Sequence, residues 1–235
     1  MRPDDLVIEI GPGRGAMTGL LAERAARVVA VELDSELAGK LQFADARNVE
    51  VMTADILETD VREICRAHDA EAAFVFGNLP YYITSPILHH LLEAPESIRA
   101  MACVMQVEVA ERITARPGTR DYGYLSVLAQ FHSLPRLRFR IPPGAFSPAP
   151  AVISALVTFD MLTNRAPADG RRQRVFLDFV KDSFAQKRKT LANNLAAKYD
   201  ADRVRGALRS AGIGENARAE ELDVAQLAIV FQRLV

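Results

Sequence analysis

Apolar positions along this chain change period several times, and the changes mark out its elements. Residues 6–10 (LVIEI), 27–31 (RVVAV), 49–53 (VEVMT), 72–76 (AAFVF) and 100–107 (AMACVMQV) are short apolar runs rich in Val and aromatic residues. Between them, residues 16–25, 35–46, 60–67 and 84–93 carry helical spacing. Strand alternating with helix at this interval predicts βαβ units, and so a parallel sheet covered on both faces. Two later runs, 134–141 (LPRLRFRI) and 152–159 (VISALVTF), have period-two character and no long helix between them. They predict an antiparallel pair that completes the sheet. Past Asp160 the pattern switches. "MLTNRAPADGRRQ" is a polar connector holding Pro and Gly, and beyond it helical spacing predicts helices at 173–185, 187–198, 201–211 and 224–234. The expected class is α/β: a Rossmann-like sheet over residues 1–162, joined to a small all-helical domain over 163–235.

Composition narrows the partners. The 235 residues are 49% hydrophobic and 25% charged, enough apolar content for a large core. No apolar run approaches the ~20 residues that span a bilayer. "MRPDDLVIEIG" has neither a basic n-region nor a small-residue cleavage site. Cys65 and Cys103 show no metal-type spacing and no partner motif. A cytoplasmic protein with two reduced packing cysteines is expected. The net charge of −1 hides an asymmetry: residues 163–235 hold 14 Lys/Arg against 9 Asp/Glu, whereas residues 1–162 hold 15 against 21. A basic C-terminal portion suggests a polyanionic partner. In "SFAQKRKTLANNL", Lys187, Arg188 and Lys189 fall at the start of a predicted helix, where they could hold the phosphates of such a polyanion without reading sequence. His89 and His90 lie on a predicted helix with no neighbouring Cys or His, so no metal site is expected.

Candidate chemistry gathers at the strand ends. "EIGPGRGAMT" comes directly after the first strand, and Gly11, Gly13 and Gly15 permit a tight turn and a close ligand. The spacing is G-x-G-x-G rather than the dinucleotide fingerprint, and Glu9 stands two places before it. Glu32 closes the second strand, where a carboxylate can accept both hydroxyls of a ribose. To this point NAD and S-adenosylmethionine fit equally. Asp55 then closes the third strand in "TADIL", within reach of an adenine amino group. Acidic strand ends around one crevice favour a cationic sulfonium over a pyrophosphate, which wants positive charge and helix N-termini.

The fourth strand runs into "FVFGNLPYYITSPIL", and an amide, a proline and two phenols are an odd ending for a core strand. Methylation of an exocyclic amine explains them. Adenine N6 is a poor nucleophile because its lone pair is delocalised into the ring. Two acceptors on its hydrogens, the Asn78 side-chain carbonyl and a backbone carbonyl near Leu79, would draw it toward tetrahedral geometry. Pro80, with fixed φ and no N–H, holds that backbone in place. Tyr81 offers a face for stacking an unpaired or flipped base. Catalysis of this kind is alignment and electrostatics, with no general base required.

"VIEIGPGRGAMT", "VFGNLPYYITSPIL", "YGYLSVLAQF…PPGAFSPAPAVISALV" and "QKRKTLANNL" together resemble the ribosomal RNA adenine N6,N6-dimethyltransferases, above all the bacterial small-subunit (16S) dimethyladenosine transferases. The resemblance runs from about residue 6 to the C-terminus. It implies S-adenosylmethionine-dependent dimethylation of two adjacent adenosines in the 3′-terminal hairpin loop of small-subunit rRNA, on an immature 30S particle, by a monomer. It also implies a cofactor site of Glu9, Gly11, Gly13, Glu32, Leu33, Asp55, Ile56 and Asn78, and gives Phe146 the role of a second stacking face opposite Tyr81. Family members carry an N-terminal segment with a Gly-Gln-Asn-Phe-Leu-like motif over the cofactor. These residues do not contain it, and weaker cofactor binding and turnover are expected as a result. Two alternatives stay open: dimethylation of an adenine in large-subunit rRNA, and a non-catalytic RNA-binding role in ribosome assembly.

Overall fold

The computed structural model describes residues 2–41, 47–162 and 170–235. Its elements are β1 (Leu6–Ile10), α1 (Thr18–Ala22), β2 (Arg27–Glu32), α2 (Ser35–Lys40), β3 (Val49–Thr53), α3 (Val61–Ala67), β4 (Ala73–Asn78), α4 (Thr84–Leu91), β5 (Ile98–Gln106), α5 (Val107–Thr114), α6 (Tyr124–His132), β6 (Ser133–Ile141), β7 (Ser154–Met161), α7 (Gly170–Ser183), α8 (Leu191–Leu195), α9 (Ala201–Ser210) and α10 (Val224–Leu234). The seven strands form one sheet in the order β3-β2-β1-β4-β5-β7-β6. Strands β1 to β5 are parallel, and β7 runs antiparallel to both β5 and β6. Every residue of β1 is buried, as is every residue of β2 except Arg27. That burial is why both read as nearly continuous apolar runs, interrupted inside β1 by Glu9: a central parallel strand is covered on both faces.

Strand order reverses at β1, which has β2 on one side and β4 on the other. In open α/β sheets the crevice outside the carboxyl ends at such a switch point is the usual ligand site. Strand β4 reaches further into that crevice than its apolar run suggests. Gly77 and Asn78 stay in the ladder, opposite Cys103 and Val104. Gly77 makes this possible, because a Cβ there would lie 2.7 Å from Leu79 Cδ2 and 3.2 Å from Ile10 Cβ.

Several helices are shorter than the periodicity predicts, the first confined to Thr18–Ala22 of the expected 16–25. The second ends at Lys40, and residues 42–46 of the expected 35–46 lie outside the described residues. In the basic region the expected helix 187–198 is confined to Leu191–Leu195. Thr190, extended at ψ 158°, caps it by accepting the Asn193 N–H, so the chain before it cannot continue a helix.

The chain forms two compact units, one of residues up to Ala110 with His132–Met161, the other of Glu111–Phe131 with residues from Leu162 on. Set beside the expected division into 1–162 and 163–235, one segment groups differently. Residues 111–131 join the helical unit because Tyr122, Val127 and Phe131 are buried in its core beside Phe176, Phe179 and Phe231. Phe131 and Phe176 have ring centroids 4.9 Å apart, and Phe176 meets Phe231 edge-on at 5.5 Å. Both cysteines are buried and unpaired, and burial pushes the Cys103 thiol up to about 12.

Candidate active site

The glycine loop takes the left-handed conformation at all three glycines, with φ of 63° at Gly11, 55° at Gly13 and 78° at Gly15. Side chains rarely adopt these angles, so the turn dictates the residue type. Gly11 N–H donates to the Val31 carbonyl at 3.0 Å, which ties the loop to the end of β2. Glu32 completes the tie: its carboxylate accepts the Gly13 N–H at 3.0 Å through Oε2 and the Asp34 N–H at 3.1 Å through Oε1. Glu32 therefore braces the loop as well as closing the second strand. A carboxylate has about four acceptor directions, so each oxygen keeps one for a ligand hydroxyl.

A cleft of about 430 Å³ opens outside the carboxyl ends of the strands. Among the expected residues it is lined by Gly11, Glu32, Leu33, Asp55, Ile56 and Pro80. Leu33 is 62% exposed there, an apolar face left open, while Ile56 is buried behind the rim. Asp55 Oδ1 accepts the Leu57 N–H at 2.8 Å, an Asx turn that fixes the carboxylate at the strand end. Three carboxylates, those of Glu32, Asp34 and Asp55, line the cleft with no Lys or Arg among the lining residues. A diphosphate would be repelled. A cationic ligand carrying a ribose and an apolar ring fits these groups, and the volume suits a nucleoside.

Glu9 lies apart from that lining. It is buried on β1, on the face of Val7, and burial pushes its carboxyl up from the usual carboxylate range. Among the described residues neither its Oε2 nor the buried Thr18 Oγ1 on α1 makes a hydrogen bond of ordinary geometry, though the two groups face each other closely enough for Thr18 to hold the carboxyl partly down. The Thr18 hydroxyl faces this carboxyl and offsets part of the cost of its burial.

Asn78 is exposed at the end of β4, beside Gly11, and its side chain has no hydrogen-bond partner among the described residues. Leu79 is buried, and its N–H donates to the Val104 carbonyl at 2.9 Å, so only its own carbonyl is left for a substrate. The Pro80 carbonyl is already taken, by Ile83 N–H at 3.2 Å and Thr84 Oγ1 at 2.9 Å. Tyr81 is half-buried, and its hydroxyl shares a hydrogen bond with Ser154 Oγ on β7. Ser154 is fully buried, and nothing in the sequence singles it out. Tyr82, also unassigned from sequence, lines the cleft and is 82% exposed. Phe146 is half-buried just after a short 3-10 turn, Pro143–Ala145, and makes no ring contact among the described residues.

The basic cluster is built differently from expectation. Lys187, Arg188 and Lys189 sit in the turn between α7 and α8, not on a helix, and all three are exposed. Asn194 Nδ2 shapes the turn by donating to the Ser183 and Gln186 carbonyls at 2.7 and 3.1 Å. Lys187 Nζ donates to the Arg120 carbonyl, so Lys187 is partly structural. Tyr122, two residues beyond Arg120, is a core residue of the helical unit.

A family model described as ribosomal RNA adenine dimethylase matches residues 1–235. The chain is 46% identical to the ribosomal RNA small subunit methyltransferase A of Acidobacterium capsulatum, over 97% of this chain and 81% of that protein. It is 42% identical to the protein of the same name from Koribacter versatilis, over 98% and 85%. Among solved structures, the 23S rRNA methyltransferase ErmE superposes with a TM-score of 0.74 at 30% identity, covering 100% of this chain and 92% of that one. A dimethyladenosine transferase from Plasmodium falciparum shares the fold, with a TM-score of 0.82 at 20% identity over 99% and 90%.

Proposed function

Because the chain belongs to the ribosomal RNA adenine dimethylase family, we propose that it dimethylates N6 of adenosines in small-subunit rRNA with S-adenosylmethionine as donor. The observation that carries this reading is one juxtaposition. An exposed Asn78 amide, without a hydrogen-bond partner among the described residues, stands at the end of β4 beside a loop and cleft lined with carboxylates. The cofactor, when bound, supplies a methyl group on a cationic sulfonium. Glu32 holds the ribose hydroxyls with the acceptor directions that its loop contacts leave free, and Asp55 accepts from the adenine amino group. Leu33 and Ile56 cover the adenine ring.

The target adenine is held by the chain's own acceptors. Asn78 Oδ1 and the Leu79 carbonyl accept the two N6 hydrogens, which draws the lone pair out of conjugation. The acceptors strengthen as the nitrogen becomes tetrahedral, so they favour the transition state over the ground state. Tyr81 stacks one face of the base and Phe146 the other, and Ser154 fixes the Tyr81 phenol. The N6 proton leaves to solvent after transfer.

The fitting partner is an immature 30S particle in the cytoplasm, met by a monomer, with two adjacent adenosines of the 3′-terminal hairpin loop as targets. Lys187, Arg188 and Lys189 bind its phosphates. Among the described residues no helix is long and apolar enough to cross a membrane. Transfer of labelled methyl groups to immature small subunits, with nuclease digestion afterwards, tests the reading. N6,N6-dimethyladenosine should appear in small-subunit rRNA. Label found only in large-subunit rRNA moves the target to that subunit, and no label on either leaves an RNA-binding assembly role.

A further inference from the structure

The outermost strand of the sheet carries chemistry that the site above leaves unused. Strand β6 ends the sheet, and its sequence SLPRLRFRI has three arginines and no acidic residue. Residues 1–162, in which it lies, hold more acidic than basic side chains, so this strip stands out. Arg136, Arg138, Phe139 and Arg140 are all exposed, Phe139 to 55%.

Register gives the strip a direction. β6 is antiparallel to β7, and β7 is antiparallel to β5, so β6 runs the same way as the strands whose carboxyl ends form the cleft. Its last residue, Ile141, pairs with Ser154, the residue whose hydroxyl holds Tyr81. The arginine row therefore leads toward the stacking phenol, and Arg136 to Arg140 spans about 13 Å at ~3.3 Å per residue. A register shift between Leu137 and Phe139 leaves Arg138 as the extra residue of a bulge. Arg138 Nε donates to Thr158 Oγ1 at 2.7 Å, and Thr158 is also the partner of Arg136 in the ladder. Arg138 thus lies over Thr158, while Arg136, opposite the same residue in the ladder, reaches along β7 to Asp160. The Arg136–Asp160 pair, 3.4 Å apart and more than half exposed on both sides, offsets only part of that charge.

Edge strands are commonly protected by charge, proline or a bulge. Pro135 and the bulge already serve that purpose here, and protection does not explain a half-exposed phenylalanine between two arginines. Cations interleaved with an aromatic ring are what a single nucleic-acid strand needs: guanidiniums for phosphates and a face for an unpaired base.

We propose that β6 is a rail for the RNA strand flanking the target base, with Arg136 and Arg138 on successive phosphates and Phe139 stacking a neighbouring base. This rests on the reading of the protein as an RNA methyltransferase. The test uses the full chain, a fluorescently labelled hairpin fragment of small-subunit rRNA, and anisotropy titrations at several salt concentrations. Replacing two phosphate contacts in Arg136→Gln/Arg138→Gln should lower the slope of log affinity against log salt by about 1.4, at ~0.7 per phosphate on single strands. Affinity at low salt should fall on the order of tenfold with that slope. Arg136→Lys/Arg138→Lys should keep the slope, and Phe139→Ala should weaken binding without changing it. Cofactor affinity should be the parent's throughout. A monomeric, folded Gln variant with the parent slope overturns the proposal. So does a Gln variant that aggregates while its monomeric fraction binds RNA like the parent, since the arginines would then be edge guards. Methyl transfer by the parent is scored alongside: an active parent with an unaltered variant slope removes the rail alone, whereas a parent that neither binds nor methylates RNA removes the functional reading too.

Discussion

On the proposed reading Glu32 joins loop geometry to ligand binding, so its removal should be felt twice. In Glu32→Ala the Gly13 and Asp34 N–H groups, 3.0 and 3.1 Å from the carboxylate, lose their acceptor. Glu32 is 8% exposed, so water replaces the carboxylate only in part. Hydrogen bonds to a charged acceptor contribute about 1.5–3 kcal/mol each, and partial rehydration brings the expected loss of unliganded stability to about 1–3 kcal/mol. The same substitution removes the acceptors for two ribose hydroxyls, a further loss of about 1.5–3 kcal/mol in binding, or roughly 10- to 150-fold in Kd. Glu32→Gln keeps one carbonyl oxygen and should fall between parent and alanine on both scales. Titration calorimetry with S-adenosylhomocysteine and urea unfolding of the unliganded protein separate the two effects. Unchanged affinity with reduced stability would make Glu32 a loop brace only. Unchanged stability would mean that the loop holds its shape without it, and the reasoning from the two hydrogen bonds would fail.

Tyr81→Phe leaves the buried Ser154 hydroxyl without its partner, an expected cost of about 1–3 kcal/mol. Single-turnover kinetics should show weaker productive RNA binding in Tyr81→Phe and Ser154→Ala alike, and parent behaviour in both would deny the phenol's anchoring role. Asn78→Ala should instead lower the transfer step by roughly 10²-fold or more with RNA affinity kept; transfer at the parent rate would make Asn78 a strand end and nothing else. Burial holds the Glu9 carboxyl above its ordinary 4.5, so the folded chain keeps a proton that the unfolded chain has released. Stability of the unliganded protein should then decline as pH rises from 4.5 through the raised value, and Glu9→Gln should flatten that decline in thermal melts; parallel curves would refute the assignment. Arg188→Ala/Lys189→Ala should flatten the salt dependence of RNA binding, and Lys187→Ala should also loosen the turn bound to Arg120, read as faster amide exchange at residues 184–190.

The centre of the sheet was legible because β1 and β2 are buried on both faces, and double burial forces near-continuous apolar runs. The acidic strand ends were legible for a related reason: Glu32 and Asp55 stand where a strand meets its turn, a place that local pattern marks. The β4 boundary was not, since Gly77 reads as a stop. Only the packing of Leu79 and Ile10 against it reveals that the ladder continues to Asn78. The basic helix was misplaced because "QKRKTLANNL" has good helical propensity throughout. Thr190 as a cap and Asn194 reaching back to two carbonyls override propensity with specific hydrogen bonds.

What no local pattern could supply is contact across the chain, and the candidate site depends on it. Ser154 lies 73 residues from Tyr81 and looks like any small polar residue opening a strand. It is within reach because β7 enters between β5 and β6 and brings its first residue opposite Gln106, at the edge where β4 ends. The same antiparallel insertion turns β6 to run with the parallel strands and aims its arginines at that edge. One topological feature thus anchors the Tyr81 phenol, receives the loop that carries Phe146 and directs a cationic strip to the same edge of the sheet. A parallel strand in that position would open at the opposite edge of the sheet, leaving Tyr81 unanchored and the strip pointed elsewhere. On the proposed reading, the antiparallel pair is the part of the fold that adapts a cofactor-binding sheet to a base presented on an RNA strand.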